Sequence, residues 1–184
     1  NMALQVIISG VIQNIFEENS DLLLLACKQR AKFEGWLKFE LAARLEKEHG
    51  FSDLTLEDGY DSQGRSDLSF NHRGQKWFVE LKTANTNFRA DGLEKKHRPI
   101  TRNIRGIAED IQVLKAKAPP AHGLSIFCLF PIPLAVMEKD PQKLNRHLHS
   151  LEESCDFPRG YLAGLGRFYQ LNQSFGISFF LVEV

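Results

Sequence analysis

The first part of the chain is dominated by apolar residues at helical spacing. Residues 3–30 carry Leu, Ile, Val and Phe at intervals of three and four, and Asn19-Ser20-Asp21 interrupts the pattern. This predicts two consecutive helices, the second starting at that polar cap and reaching about Leu25. A third helix is predicted over residues 34–48, where an apolar stripe is followed by Gly50 as a stop signal.

The period then changes to that of β-strands. Leu54 and Leu56 alternate with polar residues, as in a half-buried strand. Two further strand-like runs, residues 66–70 and 77–83, flank a polar turn and predict a hairpin. A loop without clear periodicity follows.

The second half alternates between helical and strand-like segments. A continuous apolar run predicts a central strand that ends at Pro131 and Pro133, and the glycine-rich residues 160–166 predict a flexible connection. The predicted elements are a helix over 100–117, the central strand over 124–130, a helix over 140–151, and a strand pair over 167–171 and 177–184.

This order of elements predicts a single α/β domain spanning residues 1–184, with a mixed central β-sheet flanked by helices. The apolar content of the first 30 residues leaves two roles open for them. They could cover the sheet, or they could form a subunit interface.

Composition narrows the class of protein. Basic and acidic side chains balance at 23 each, and the longest purely apolar stretch has six residues, which is too short to span a membrane. No segment near the start resembles a signal peptide, and the scattered Cys27, Cys128 and Cys155 do not suggest a disulfide framework. We therefore expect a soluble protein of the cytoplasm.

The predicted hairpin carries the candidate chemistry. With Arg73-Gly74 at the centre of a tight turn, the apolar residues of both strands share one side. Asp67 then lies opposite Glu80 on the other side, with Lys82 two residues further along. Arg-Gly is not the favoured two-residue turn, and a bulge at Gly74 would offset the pair by one residue.

Two carboxylates in directly opposite positions have Cβ atoms roughly 4.5–5.5 Å apart and repel each other. A divalent cation between them would reverse the sign of this interaction, and hard oxygen ligands suit Mg²⁺ or Mn²⁺. Lys82 could then help to deprotonate a nucleophile or stabilise negative charge that develops on a phosphate. The alternative is an ordinary hairpin whose charged side chains are simply solvated.

The pattern of Asp67, a hairpin and then Glu80-Leu81-Lys82 resembles the motif of the PD-(D/E)xK nuclease superfamily. Ser66 stands where the name of that superfamily has proline, a position that varies among its members. The resemblance implies that Asp67 and Glu80 bind Mg²⁺ or Mn²⁺, that Leu81 contributes its backbone carbonyl, and that Lys82 is catalytic.

The resemblance also implies a restriction-endonuclease-like fold. Its core consists of a helix, a three-stranded meander, a helix and a further strand, and residues 34–130 supply these elements in that order. Residues 1–33 would then be an added N-terminal helical extension, and residues 131–184 would add a C-terminal helix and strands.

Many members of the superfamily add a glutamate from the first core helix, and the candidates are Glu34 and Glu40. They lie six residues apart, roughly 120° from coinciding around the helix, so we expect only one to face the sheet. Glu40 is preferred because it lies within the apolar stripe, although it could equally pair with Arg44. Glu57, at the end of the first strand, could also point into the site.

A basic segment follows the proposed site. Residues 89–105 carry six basic side chains against two acidic ones, next to the start of a predicted helix, a combination that can hold phosphates. The alternative is a solvated loop. The six proposed nucleic-acid-binding residues are Arg89, Lys95, Lys96, Arg98, Arg102 and Arg105.

The sequence thus predicts a metal-dependent endonuclease acting on nucleic acid, most plausibly DNA. A homodimer is implied by the resemblance, since many members of the superfamily are dimers. The alternative function is a non-catalytic nucleic-acid-binding or assembly module that retains the nuclease-like fold.

Overall fold

A six-stranded β-sheet forms the centre of the structure, a computed structural model that describes residues 2–48, 50–60, 64–94 and 100–184. The strands are β1 (Phe51–Leu56), β2 (Leu68–His72), β3 (Gln75–Asn85), β4 (His122–Pro133), β5 (Arg167–Gln170) and β6 (Phe175–Glu183). They lie in the order β1-β2-β3-β4-β6-β5. Strands β3 and β4 are parallel, and the other neighbours are antiparallel.

Helices cover both faces of this sheet. They are α1 (Met2–Glu18), α2 (Ser20–Gln29), α3 (Glu34–Leu45), α4 (Ile100–Lys117), α5 (Leu134–Lys139), α6 (Gln142–Ser154) and α7 (Tyr161–Leu165). Helices α1 to α3 bury their apolar side chains against one face, and α4 to α7 bury theirs against the other. The predicted α/β architecture, a mixed central sheet flanked by helices, is confirmed.

The two N-terminal helices cover the sheet. Buried side chains of α1 and α2, including Ile12, Phe16 and Leu23, belong to the same core as α3 and the central strands. The ring of Phe16 packs edge-on against Phe179 of β6, with 5.6 Å between centroids. Within the described ranges, no helix combines the length and the apolar character needed to cross a bilayer.

The hairpin has the predicted register from Leu68 to His72, and the predicted pair of Asp67 and Glu80 lies just beyond this ladder. Phe70 pairs with Trp77, and the ladder between β2 and β3 runs from the pair of His72 and Gln75 to that of Leu68 and Val79. The turn therefore contains only Arg73 and Gly74, whose φ angles of 51° and 76° are both positive. Positive φ at both central residues is the geometry of a type I′ turn, which matches the natural twist of a hairpin.

Strand β4 extends further than the sequence predicted. It does not end before Pro131 but continues to Pro133. Its pairing with β3 ends at Phe130, and its pairing with β6 is irregular between Leu129 and Ile132. Pro131 therefore lies where no regular ladder needs its missing N–H, which is where a sheet tolerates proline.

The glycine-rich residues 160–166 contain the short helix α7, so the predicted flexible connection is wrong. Glu152 of α6, which is buried, accepts hydrogen bonds from the backbone N–H groups of Gly160 and Leu162, at 2.9 and 2.8 Å. This carboxylate satisfies the first N–H groups of α7 from another helix, which periodicity within the segment could not reveal.

The turn of the hairpin generates a stability prediction. Because a left-handed conformation is costly for most residues but tolerated by Asn, replacing Arg73 with Asn should stabilise the fold by about 0.5–1 kcal/mol. Urea unfolding should show a higher midpoint with an unchanged m-value. Arg73→Ala is the matched control, since it removes the same side chain without lowering the cost of the left-handed backbone conformation. Equal midpoints for the two variants would contradict the prediction.

Candidate active site

The candidate site forms where β2 ends beside β3. The ladder between them stops at Val79, whereas β3 continues to Asn85 alongside β4. The edge of β3 that faced β2 therefore has backbone groups without a strand partner beyond that point. Asp67 Oδ2 accepts the N–H of Leu81 at 2.9 Å, and Glu34 Oε2 accepts the N–H of Thr83 at 3.1 Å. Two carboxylates thus continue the hydrogen bonding that β2 no longer supplies.

This edge also presents a backbone oxygen. In an extended strand, the N–H and C=O of one residue point to the same side. The carbonyl of Leu81 therefore faces the edge at which its own N–H meets Asp67. The resemblance described above implies that this carbonyl binds metal, which stays a prediction.

The side chains of Glu80 and Lys82 project from the face of β3 that packs against α4. The Nζ atom of Lys82 lies 2.7 Å from Oδ2 of Asp110 in that helix. A Cβ atom built on Gly106, one turn before Asp110, would lie 3.5 Å from Cε of Lys82, so the lysine extends alongside the glycine. Sequence reasoning missed Asp110. A glycine inside an otherwise regular amphipathic helix, four residues before a carboxylate, was the available signal.

Glu80 is anchored by an aromatic residue. The hydroxyl of Tyr60 donates to Glu80 Oε1 at 2.5 Å, and the Tyr60 ring packs on Phe78 with 5.0 Å between centroids. Tyr60 lies between the first predicted strand and the hairpin, and no periodic pattern there indicated that it would be buried.

Burial and neighbouring charge shift the protonation of this cluster. Burial raises the pKa of Glu80 from the usual 4.5 to about 7; the negative charges of Asp67 and Asp110 add to the rise, and the Tyr60 hydrogen bond opposes it. Burial likewise raises the pKa of Asp110 despite the opposing effect of Lys82. For Lys82, burial lowers the pKa, but the hydrogen bond and charge of Asp110 together with the charges of Glu34 and Glu80 outweigh it, so the net pKa is raised.

A second lysine lies at this site. Lys38 of α3 has a side chain that is only 13% exposed, and its Nζ atom lies 3.5 Å from Asp67 Oδ1 and 3.2 Å from Glu57 Oε1. Burial lowers the pKa of Lys38, but the partners Glu57 and Asp67 outweigh it, so the net pKa is raised. Glu57 therefore points toward the site, although its side chain is 61% exposed and its contact is with Lys38.

The first-helix glutamate at the site is Glu34 rather than Glu40. Glu34 and Lys38 are one turn apart and reach the same edge of β3. Glu40 instead lies 3.6 Å from Arg44, its i,i+4 partner, and Arg44 also pairs with Glu18 at 2.7 Å. The preference for Glu40 in the sequence analysis is thus corrected. Residues 34 and 38 lie on the side of α3 that faces the sheet, and residue 40 does not.

The chemistry of the donors fits a hard divalent cation. The cluster contains four carboxyl groups and a backbone carbonyl but two ammonium groups, so oxygen donors and negative charge are in excess. The oxygen donors are Glu34, Asp67, Glu80, Asp110 and the Leu81 carbonyl, and the ammonium groups are those of Lys38 and Lys82. Mg²⁺ commonly takes one or two carboxylates and keeps several waters. Among the described residues, no group of three or more His, Cys, Asp and Glu side chains is already arranged around a cation position. Instead, backbone N–H groups, lysine side chains and the Tyr60 hydroxyl of the protein bind these carboxylates.

The predicted basic segment is only partly described. Lys95, Lys96 and Arg98 lie outside the described residues. Arg89, Arg102 and Arg105 are exposed. Arg102 precedes Gly106 by one turn and Asp110 by two, so it shares their row on α4. This row leads from the helix start toward Lys82.

The loop that carries Arg89 is fixed by a buried arginine. The guanidinium of Arg30 donates to three backbone carbonyls, those of Thr86, Phe88 and Glu94, at 2.5, 2.6 and 2.9 Å. Arg30 has a positive φ of 51° at the end of α2. A residue 56 positions away in sequence thereby orients the chain that leaves the site, a contact that no local pattern could predict.

No protein-family model matches this chain, and comparisons with curated proteins and with solved structures found no match.

The raised pKa of Glu80 generates a pH-dependent stability prediction. Because the folded state holds this proton up to about pH 7 and an unfolded chain only to 4.5, stability without divalent cations should fall as pH rises between these values. Glu80→Gln removes the buried charge and can still accept the Tyr60 hydrogen bond. In EDTA, its thermal midpoint should exceed that of the parent at pH 8 and converge toward it near pH 4.5.

The matched control for Glu80→Gln is Glu153→Gln, which removes the same formal charge from an exposed position on α6. It should leave the midpoint close to that of the parent throughout. A gap between Glu80→Gln and the parent that does not change with pH would contradict the assignment of a raised pKa to Glu80.

Proposed function

We propose that this protein is a metal-dependent nuclease that hydrolyses phosphodiester bonds, with DNA as its proposed substrate. The observation that carries the proposal is that Asp67 bonds to the Leu81 backbone where β3 loses its β2 partner, and that its carboxylate interacts with that of the neighbouring Glu80. When bound, Mg²⁺ or Mn²⁺ would neutralise charge on the phosphate during attack by water.

The side chains of the chain itself have distinct proposed roles. Asp67, Glu80 and the Leu81 carbonyl would bind the cation. Glu34 would add a carboxylate at the same edge, in the place first proposed for Glu40. Lys82 would serve as a cation beside the scissile phosphate rather than as a general base, because the raised pKa of its ammonium group keeps it charged at neutral pH.

The order of elements supports a restriction-endonuclease-like fold as part of this proposal. Helix α3, the meander β1-β2-β3, helix α4 and strand β4 follow one another as the resemblance requires. Strand β4 lies parallel to β3 after the α4 crossover, which keeps α4 against the face that carries Glu80 and Lys82.

Exposed arginines support nucleic acid as the substrate. Arg102 and Arg105 near the start of α4, and Arg89 in the preceding loop, would contact backbone phosphates together with Lys95, Lys96 and Arg98. Such contacts carry no sequence information. Because they release counterions from the phosphates, binding through them should weaken steeply with salt.

One observation favours the non-catalytic alternative. Each charged group of the cluster already has a protein partner: Asp67 has Leu81 and Lys38, and Glu80 has Tyr60. A satisfied polar network of this kind can exist for stability alone. In that case the protein would bind nucleic acid, or assemble with a partner, without cleaving it.

Cleavage assays with paired lysine variants would test the proposal. The parent should cleave plasmid, linear or single-stranded DNA, or RNA, in Mg²⁺ or Mn²⁺ and not in EDTA. Lys82→Ala should lose about 100-fold or more of this activity, since it removes a charge-stabilising group. The matched control is Lys76→Ala: Lys76 lies on the same face of β3, and its Nζ atom is likewise 2.7 Å from a carboxylate, that of Asp58.

Two outcomes would count against the nuclease. Equal activity of Lys82→Ala and Lys76→Ala would show that cleavage arises at another site or from a contaminant. Binding of DNA by the parent in EDTA, weakened in Arg102→Ala and without cleavage of any substrate in either metal, would favour the non-catalytic module.

A further inference from the structure

Lys38 occupies an unusual position for a lysine. Its side chain is largely buried, on the side of α3 that faces the sheet, one turn after Glu34. Its ammonium group lies between two carboxylates, those of Asp67 and Glu57, at 3.5 and 3.2 Å. The lysine therefore has two alternative anionic partners, one inside the candidate site and one at its rim.

The two oxygens of Asp67 are held by donors of different kinds. Oδ2 accepts the N–H of Leu81, which belongs to a strand paired on its other side with β4. Oδ1 lies 3.5 Å from the ammonium group on the flexible side chain of Lys38. The first contact is fixed by the backbone, whereas the second can be exchanged when the lysine side chain moves.

Glu57 is placed to receive the lysine. Its backbone N–H donates to the backbone carbonyl of Asp67 at 3.1 Å, so the two residues are held side by side. The Glu57 side chain is 61% exposed and can adjust without movement of the backbone. Lys38 could thus shift its contact wholly to Glu57 by side-chain rotation alone.

We infer that Lys38 is a positioning residue that competes with the divalent cation for Asp67. Without the cation, its ammonium group neutralises Asp67; when the cation binds, Lys38 transfers to Glu57. The inference rests on the proposed function, because Asp67 is one of the proposed ligands. The physical basis is charge repulsion, since an ammonium and a divalent cation that share one carboxylate repel each other strongly in a half-buried site.

Titration calorimetry of the full chain with Mn²⁺ at pH 7.5 would test this. Lys38→Met keeps a flexible unbranched side chain, one atom shorter, and removes the competing charge, so Mn²⁺ should bind roughly tenfold more tightly. Glu57→Gln removes the alternative partner and should weaken Mn²⁺ binding several-fold. Lys76→Met is the matched control, since Lys76 pairs with Asp58 rather than Asp67, and its affinity should equal that of the parent.

The outcomes separate this inference from the proposed function. If Asp67→Asn abolishes Mn²⁺ binding but folded Lys38→Met binds as the parent does or more weakly, the competition is refuted and the cation site stands. If the parent shows no Mn²⁺ binding that depends on Asp67, both fail. Circular dichroism would establish folding. Should Lys38→Met not fold, Lys38→Gln and Glu57→Gln still decide, because unchanged affinity in either refutes the competition.

Discussion

The unpaired edge of β3 is the constraint on which the candidate site depends. Strand β2 begins only at Leu68, opposite Val79, whereas β3 continues to Asn85, so backbone N–H groups near the middle of the sheet lack a strand partner on that side. Buried N–H groups must find acceptors, and here the acceptors are the carboxylates of Asp67 and Glu34. The same requirement that completes the hydrogen bonding of the sheet therefore collects acidic side chains at one place.

Collecting acids has an electrostatic cost that the surrounding helices offset in part. Lys38 reaches the cluster from α3, and Asp110 fixes the position of Lys82 from α4. Burial raises the pKa of Glu80 to about 7, and the negative charges of Asp67 and Asp110 add to the rise, so the lysines do not fully offset the repulsion among the carboxylates. This deficit of positive charge supports the proposed reversible binding of a divalent cation.

Much of the fold was predictable because the local spacing of apolar residues determines its helices and strands. The helix over 100–117 has the predicted bounds, and the register of the hairpin followed from the alternation of apolar residues around Arg73-Gly74. A shift by one residue would have turned every apolar side chain of the hairpin to the wrong face. The extension of β4 through Pro131 and the helix α7 were not predictable, because distant partners determine both.

The sequence by itself determined that Glu80 and Lys82 share one face of β3, since the period of two along a strand fixes side-chain direction. It also predicted Asp67 opposite Glu80. Only the tertiary structure decided which groups meet them. The structure places Glu34 rather than Glu40 at the cluster and adds Lys38, Tyr60 and Asp110. These positions depend on the rotation of α3, the course of a loop and the crossover through α4, all of which are set by packing against the whole sheet. Local pattern fixes a direction for each side chain, whereas proximity between elements arises only when their apolar faces are buried together.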